Sequence, residues 1–122
     1  MTEELAYHIS RLEFIGRLRI TDKIHITSKT PLKDESNGVV SWILRRVTLQ
    51  SRERSVKWMY DTITDVSRYY GYCTALHNDE NVNAIRGLAP FAIQGIHNQI
   101  QLYGSCQELV ACIATLRNII GE

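Results

Sequence analysis

The residues best suited to chemistry are basic side chains in the middle of the chain. Five cations lie between positions 45 and 57, against the single acid Glu53. On a helix, four of these cations spread over roughly 140° of one side: Arg45, Arg46, Arg52 and Lys57. Such a face attracts phosphates, and Trp42, Trp58 and Tyr60 lie close enough in sequence to stack on bases. These four cations are therefore a candidate anion or nucleic-acid site, unless they form a solvated face or pair with acids of another subunit.

A second candidate site on the same segment is an oligomer interface. Between Ser41 and Gly71 the apolar residues follow first one side of a helical wheel and then a side about half a turn away. A helix over 39–70 would be about 48 Å long, far beyond the radius of gyration of about 14 Å expected for this domain. Either the helix breaks near 50–55, or it continues and packs one half on another subunit. If the core uses the other face, the predicted interface is Arg54, Val56, Trp58, Met59, Ile63, Val66 and Tyr70.

Catalytic and metal sites lack support in the sequence. Cys106 lies at the N-terminus of a predicted helix, where a thiol pKa falls, but nothing in the sequence places a histidine beside it. Cys73 and His77 have the i, i+4 spacing of a metal pair, yet a structural zinc site needs about four ligands and no second pair has such a spacing. We therefore predict no catalytic residue, no metal site and no cofactor, and a small enzyme with an unrecognised site is a third alternative.

The first half of the chain predicts one helix, a loop and a second helix. Thr2 is a suitable N-cap, and a helical stripe follows it: Leu5, Ile9, Leu12 and Ile15. Residues 18–26 alternate in polarity, which leaves a short strand open as an alternative. Residues 27–38 have the composition of a loop, with Pro31 and Gly38 among them. A long central helix, either straight or bent, then reaches Gly71, which ends or bends it.

The second half of the chain carries clear helix boundary signals. Asn78 or Asp79 is a suitable N-cap, Pro90 either kinks the following helix or starts a new one, and Gly104 is a stop. Ser105 and Glu108 have the spacing of a capping box, and Gly121 ends the last helix. The apolar stripe of this last helix is Leu109, Cys112, Ile113, Leu116 and Ile120. The whole pattern predicts an all-α bundle of four to five helices.

Size and composition place the chain in the class of small globular proteins. It has 122 residues, 44% of them hydrophobic and 22% charged, which predicts a single helical domain over 1–122. Its formal net charge of +1 favours no partner by itself. The acidic, amphipathic N-terminus is not a signal peptide, no apolar run is long enough to span a bilayer, and an odd number of cysteines is typical of reduced thiols. We expect a cytoplasmic protein with no membrane association, whether a cell makes it or a virus inside one.

The function that this pattern favours is assembly. We predict a non-enzymatic helical interaction protein that acts as a homodimer or a larger homo-oligomer, with the central helix supplying part of the interface. A nucleic-acid-binding module is the alternative, and it requires an affinity that falls steeply with salt.

Overall fold

The described residues of the computed structural model are 2–18 and 38–122, with side chains described for 2–18 and 52–122. Over these residues the protein is all-helical, without strands, and has four helices. They are α1 (Glu3–Gly16), α2 (Gly38–Ala75), α3 (Asp79–Tyr103) and α4 (Gln107–Ile120). The predicted loop at 27–38 and the strand alternative at 18–26 lie outside the described residues, apart from Leu18 and Gly38.

The sequence left two alternatives open at Gly71 and at Pro90, and the structure excludes a helix end at Gly71 and a new helix start at Pro90. Helix α2 continues through Gly71 to Ala75, and α3 continues through Pro90 without a second start. A glycine in an exposed helix costs only about 1 kcal/mol. The burial of Tyr69 and Cys73 on either side of Gly71 outweighs that cost. Pro90 and Arg86 are both exposed, so water can hydrate the Arg86 carbonyl that the proline leaves without a donor.

All four helices contribute to one hydrophobic core. The buried side chains of α1 lie against α3, while α2 and α3 both pack on α4. Helix α2 contributes Met59, Ile63 and Val66 to this core, and α4 contributes the stripe predicted from its sequence, with Ile119 buried more deeply than Ile120. Hydrophobic burial of this kind is the main favourable term in folding.

The N-terminal caps follow the sequence at two helices and depart from it at the third. The Thr2 hydroxyl accepts from the Leu5 amide at 3.2 Å, and the Asn78 side chain accepts from the Asn81 amide at 3.2 Å. The predicted capping box at Ser105 is wrong. The N-cap of α4 is Cys106, because its carbonyl accepts the first helical bond, from Val110 at 3.1 Å, and its side chain makes no cap bond.

Side chains from other helices bind the carbonyl groups at the C-terminal ends of three helices. Asn98 donates to the Leu18 carbonyl after α1, and Arg52 donates to the Gly104 carbonyl after α3, both at 2.8 Å. Arg86 donates to the Ile120 carbonyl at 3.0 Å at the end of α4. The last carbonyls of a helix have no partner within it, so the Arg86 bond satisfies such a group at Ile120, and all three bonds fasten one helix to another. Glycines at 104 and 121, with φ of 92° and 97°, allow the turns.

Helices α1 and α3 approach so closely that the backbone of α1 contacts Gly95 of α3 directly. A Cβ atom added at Gly95 of α3 would overlap the Ile15 carbonyl oxygen of α1 and lie 3.0 Å from the Gly16 Cα. At Gly16 the atoms nearest an added Cβ atom, which they would overlap, belong to the side-chain ring of Phe91. Gly95 therefore determines how closely α1 lies against the bundle.

Candidate interaction surface

The strongest candidate site is an exposed aromatic patch formed by α1 and α2, consisting of Tyr7, Phe14 and Trp58. These side chains remain 57%, 58% and 39% exposed in the single chain. The rings of Phe14 and Trp58 meet edge to face, with centroids 5.4 Å apart. The Arg11 guanidinium lies over the Tyr7 ring, 4.0 Å from its centroid. Clustered Trp, Tyr and Arg side chains are typical of protein–protein hot spots.

An open groove of about 450 Å³ lies along this aromatic patch between α1 and α2. Its walls carry charges of both signs as well as aromatic rings. The charged side chains are Arg11, Asp61, Asp65 and Arg68. The groove is therefore shallow, wet and electrostatically mixed, which suits a polar rim around an aromatic contact.

A polar cluster beneath the groove ties α1 to α2. Arg11 donates to Asp65 Oδ2 at 2.8 Å and to His8 Nδ1 at 2.8 Å. The His8 ring is buried and stacks on Tyr69, with centroids 4.4 Å apart. Because arginine cannot accept a hydrogen bond, His8 must be the neutral tautomer with its proton on Nε2. His8 Nδ1 is occupied by the hydrogen bond from Arg11, so it does not act as the base that activates a nucleophile. The cluster instead orients Arg11 under the patch.

Both titratable members of the polar cluster have shifted pKa values. Burial lowers the pKa of His8 from its ordinary 6.5, and the Arg11 charge lowers it further, although Asp65 and Glu4 act in the opposite direction. The hydrogen bond from Arg11 lowers the pKa of Asp65 from its ordinary 3.8, with burial opposing. At neutral pH the cluster thus holds a neutral histidine and an ion pair between Arg11 and Asp65.

The predicted anion site is only partly assembled by the described residues. Arg52 bonds the Gly104 carbonyl and lies over the Tyr103 ring, 5.8 Å from its centroid, so it holds the end of α3. Arg52 and Lys57 also line a second open cavity, of about 310 Å³, whose other charged groups are Glu53 and Glu108. The side chains of Arg45 and Arg46 lie outside the described residues. Nucleic-acid binding through Arg45, Arg46, Arg52 and Lys57 stays a prediction.

The predicted oligomer interface is divided by the fold. Met59, Ile63 and Val66 are buried in the chain's own core, because the core uses the face that the prediction had assigned conditionally to a partner. Val56 packs against that core, and Tyr70 is half-buried and donates to the Ile119 carbonyl at 3.2 Å. Arg54 and Trp58 are exposed, and of these Trp58 belongs to the aromatic patch. Oligomerisation itself stays a prediction.

Sequence reasoning missed the contribution of α1 to this surface. Tyr7 and Phe14 lie off the apolar stripe of α1, which contains Leu5, Ile9, Leu12 and Ile15. Their spacing of seven residues is a signal in the sequence, since it places two large aromatic side chains together on the outer side of the helix. What the sequence could not show is that Trp58, 44 positions after Phe14, would lie beside them.

Two classes of site find no support in the part of the chain that the structure describes. Over residues 2–18 and 52–122, no three histidine, cysteine, aspartate or glutamate side chains converge in a way that could hold a metal ion. None of the described helices combines the length and the apolar character that crossing a membrane requires. Comparisons with models of known protein families, with curated proteins and with solved structures found no match to this chain.

Proposed function

We propose that this protein is a non-enzymatic assembly protein that associates with itself through the aromatic patch. The observation that carries the proposal is the exposure of three large aromatic side chains, Tyr7, Phe14 and Trp58, on one surface of α1 and α2. Single exposed apolar residues need no explanation, but a contiguous cluster of them is typical of an interaction site.

The patch is organised before any partner arrives. Arg11 holds Tyr7 by its position over the ring and is itself held by Asp65, while Phe14 and Trp58 fix each other edge to face. Ordering a side chain on binding costs about 0.5–1.5 kcal/mol, so a patch whose side chains are already ordered loses less free energy on association. Large aromatic side chains in such a state supply contact area at low entropic cost.

A second copy of the chain is the partner that the charges favour. The groove along the patch contains two cations, Arg11 and Arg68, and two anions, Asp61 and Asp65. A polyanionic partner would meet repulsion from the two carboxylates, whereas a surface with both signs can complement itself across a two-fold axis. The near-neutral net charge of +1 also permits self-association.

Finer features of the predicted architecture belong to the same proposal. They are a long central helix that extends beyond the core and supplies part of the interface, and a long loop after the first helix.

A cytoplasmic location is also proposed, since all three cysteines are free, two of them buried. Burial raises the pKa of the Cys112 thiol to about 12, which keeps it protonated and unreactive.

The test is light scattering after size exclusion, at two protein concentrations up to about 100 µM, which covers micromolar dissociation constants. The natural chain, of 14.0 kDa, is expected to give an average mass that rises with concentration above that of the monomer and toward that of a dimer. The double variant Phe14→Ala/Trp58→Ala is expected to be monomeric and helical by circular dichroism. Tyr72→Ala is the matched control, because Tyr72 is an exposed aromatic residue of α2 that does not line the groove along the patch.

Two results would contradict the proposal. One is a natural chain that stays monomeric throughout the concentration range. The other is a double variant that associates as strongly as the Tyr72→Ala control while both remain folded.

A further inference from the structure

The outer side of α1 carries a stripe of five exposed residues, here called the outer stripe. At 100° per residue they fall within about 80° of one another, opposite the buried side of the helix. They are exposed in the described chain: Glu3, Tyr7, Ser10, Phe14 and Arg17. The same helix buries Leu5, Leu12 and Ile15 on its inner side. The outer stripe is therefore the part of α1 that is free to meet another surface.

The outer stripe is complementary to itself when it is reversed. Glu3 and Arg17 are equally distant from position 10 and have opposite charges. Tyr7 and Phe14 are nearly equally distant from it and are both aromatic. Two α1 helices that run antiparallel past each other would thus place acid against base twice and aromatic against aromatic twice.

The centre of the outer stripe is shaped for close approach. Ser10 is its smallest side chain, and the Ser10 hydroxyl donates to the Tyr7 carbonyl of its own helix at 2.9 Å. Its hydrogen-bonding capacity as a donor is therefore satisfied without a partner. A small, satisfied residue at the midpoint lets two helices approach while the larger aromatic rings pack on either side.

We propose that two copies of this chain pair through α1, antiparallel, across a two-fold axis near Ser10. Glu3 then lies opposite Arg17 of the second copy, and Tyr7 lies opposite its Phe14. This geometry rests on the proposed self-association and specifies its partner surface. Trp58 extends the contact from α2, since its ring already lies against Phe14.

Electrostatics determine the orientation of this pairing, and the aromatic rings supply its affinity. An antiparallel arrangement places the positive N-terminal end of each helix dipole beside the negative end of its partner. Exposed ion pairs are individually weak. Arg17 already pairs with Glu13 of its own helix at 3.5 Å, but this pair is also exposed and weak, with side chains 73% and 40% exposed, so Arg17 can exchange it for Glu3 of the second copy. A contact made by one 14-residue helix and Trp58 is small, so we expect a transient dimer.

Charge reversal tests the geometry separately from association itself. Glu3→Lys and Arg17→Glu each create two repulsive pairs by symmetry, and each is expected to weaken the homodimer about tenfold. An equimolar mixture of the two variants is expected to recover the natural affinity as a heterodimer. In that heterodimer the lysine introduced at position 3 of one chain faces the glutamate introduced at position 17 of the other, and the unchanged Glu3 and Arg17 face each other. The double variant Glu3→Lys/Arg17→Glu is expected to recover it as a homodimer.

Matched controls exist on the other helices. Glu80 lies in the first turn of α3 as Glu3 does in α1, and Arg117 lies in the last turn of α4. Glu80→Lys and Arg117→Glu make the same changes in net charge, and we expect them to alter the dimer dissociation constant less than twofold. Sedimentation velocity at low salt gives the constants for all variants.

The outcomes distinguish the antiparallel pairing of α1 from the proposed self-association on which it rests. If the natural chain dimerises but the two single variants behave like their controls, or their mixture stays as weak as each alone, the antiparallel pairing is wrong and self-association stands. A parallel pairing would instead place Glu3 opposite Glu3, so Glu3→Lys would bind the natural chain more tightly than the natural chain binds another copy of itself, whereas the antiparallel pairing makes that mixed dimer weaker than the natural homodimer. If the natural chain is monomeric throughout, both proposals fail.

Discussion

Helix α1 contacts the bundle on two sides that are built in different ways. Toward α3 its backbone lies directly on Gly95, with no side chain between the two helices at that point. Toward α2 the contact consists of polar and aromatic side chains, with Arg11 bridging to Asp65 and Phe14 meeting Trp58. The first contact is dry and has no room to adjust. The second is open to water and leaves aromatic rings available.

The two contacts of α1 have different roles: the contact with α3 stabilises the fold, and the contact with α2 leaves side chains available for interaction. A close backbone contact excludes water and tolerates no added atom, because protein interiors are packed like organic crystals. A polar contact at a groove contributes less, since its groups exchange bonds to water for bonds to each other. The protein can therefore hold α1 in place from the α3 side while its other side remains exposed to a partner.

The largest expected effect is on the α3 side. Gly95→Ala should lower the free energy of unfolding by about 3 kcal/mol, because the new Cβ overlaps a backbone oxygen and α1 must move away. Urea unfolding followed by circular dichroism measures this. Gly87→Ala is the matched control on the same helix, where the added Cβ meets nothing, and it should stabilise by up to about 1 kcal/mol.

Gly16→Ala sharpens the same prediction. Its Cβ would overlap the Phe91 ring, which is partly exposed and able to rotate away, so its cost should lie between those of the other two variants. An equal or larger loss at Gly16 than at Gly95 would contradict the view that a backbone atom limits the approach of α1.

The α2 side should show a smaller effect that depends on salt. Asp65→Ala should lower the free energy of unfolding by about 1 kcal/mol, a value reduced because the Asp65 side chain is 42% exposed and screened by solvent. Asp61→Ala, at an exposed aspartate lining the same groove, is the control and should cost less. The difference between the two should shrink in about 1 M salt, where charges are screened within about 3 Å. A difference that does not change with salt would mean that packing, and not the ion pair, joins α1 to α2.

The smallest expected effect is a dependence on pH. The pKa of His8 is lowered in the folded protein, so the unfolded chain binds the proton more readily. Stability from this group is therefore present above pH 6.5 and is lost as the pH falls through the lowered pKa. Asp65, whose pKa is also lowered, acts in the same direction in a second window below pH 3.8.

Unfolding free energies measured between pH 7.5 and pH 5 test the histidine. The natural chain should lose stability over this range, and His8→Gln should lose less of it. His77→Gln, at an exposed histidine after α2, should retain the dependence of the natural chain. The same slope in all three proteins would show that protonation of His8 does not affect folding.

The sequence predicted helix ends best where the signal is local. The caps at Thr2 and Asn78 and the stops at Gly104 and Gly121 are confirmed, because a cap bonds its own helix within a few residues. The Ser105 capping box is wrong, while at Gly71 and Pro90 only one of two alternatives, a helix end and a new start, is excluded. A glycine is only a weak stop signal, and the burial of Tyr69 and Cys73 on either side of Gly71 keeps α2 helical beyond it.

The candidate sites were harder to predict because they depend on pairs distant in sequence. Arg52 belongs to a strongly basic stretch, yet it bonds a carbonyl 52 residues later, and no local pattern reveals that partner. The pair of Phe14 and Trp58 joins two helices in the same way. Only Trp58 of that pair was among the predicted interface residues.

By itself the sequence determined the class of the protein and much of its helical organisation. Apolar spacing, caps and glycine stops act within one or two turns, so an all-α chain with its apolar stripes follows from local chemistry alone. The tertiary structure decided which stripe of α2 enters the core, since a helical wheel shows two faces and cannot say which one the other helices will cover. That choice buried Met59, Ile63 and Val66 and left Trp58 exposed beside Phe14. Burial of a face is a property of the assembled helices, and it created the surface that we propose for self-association.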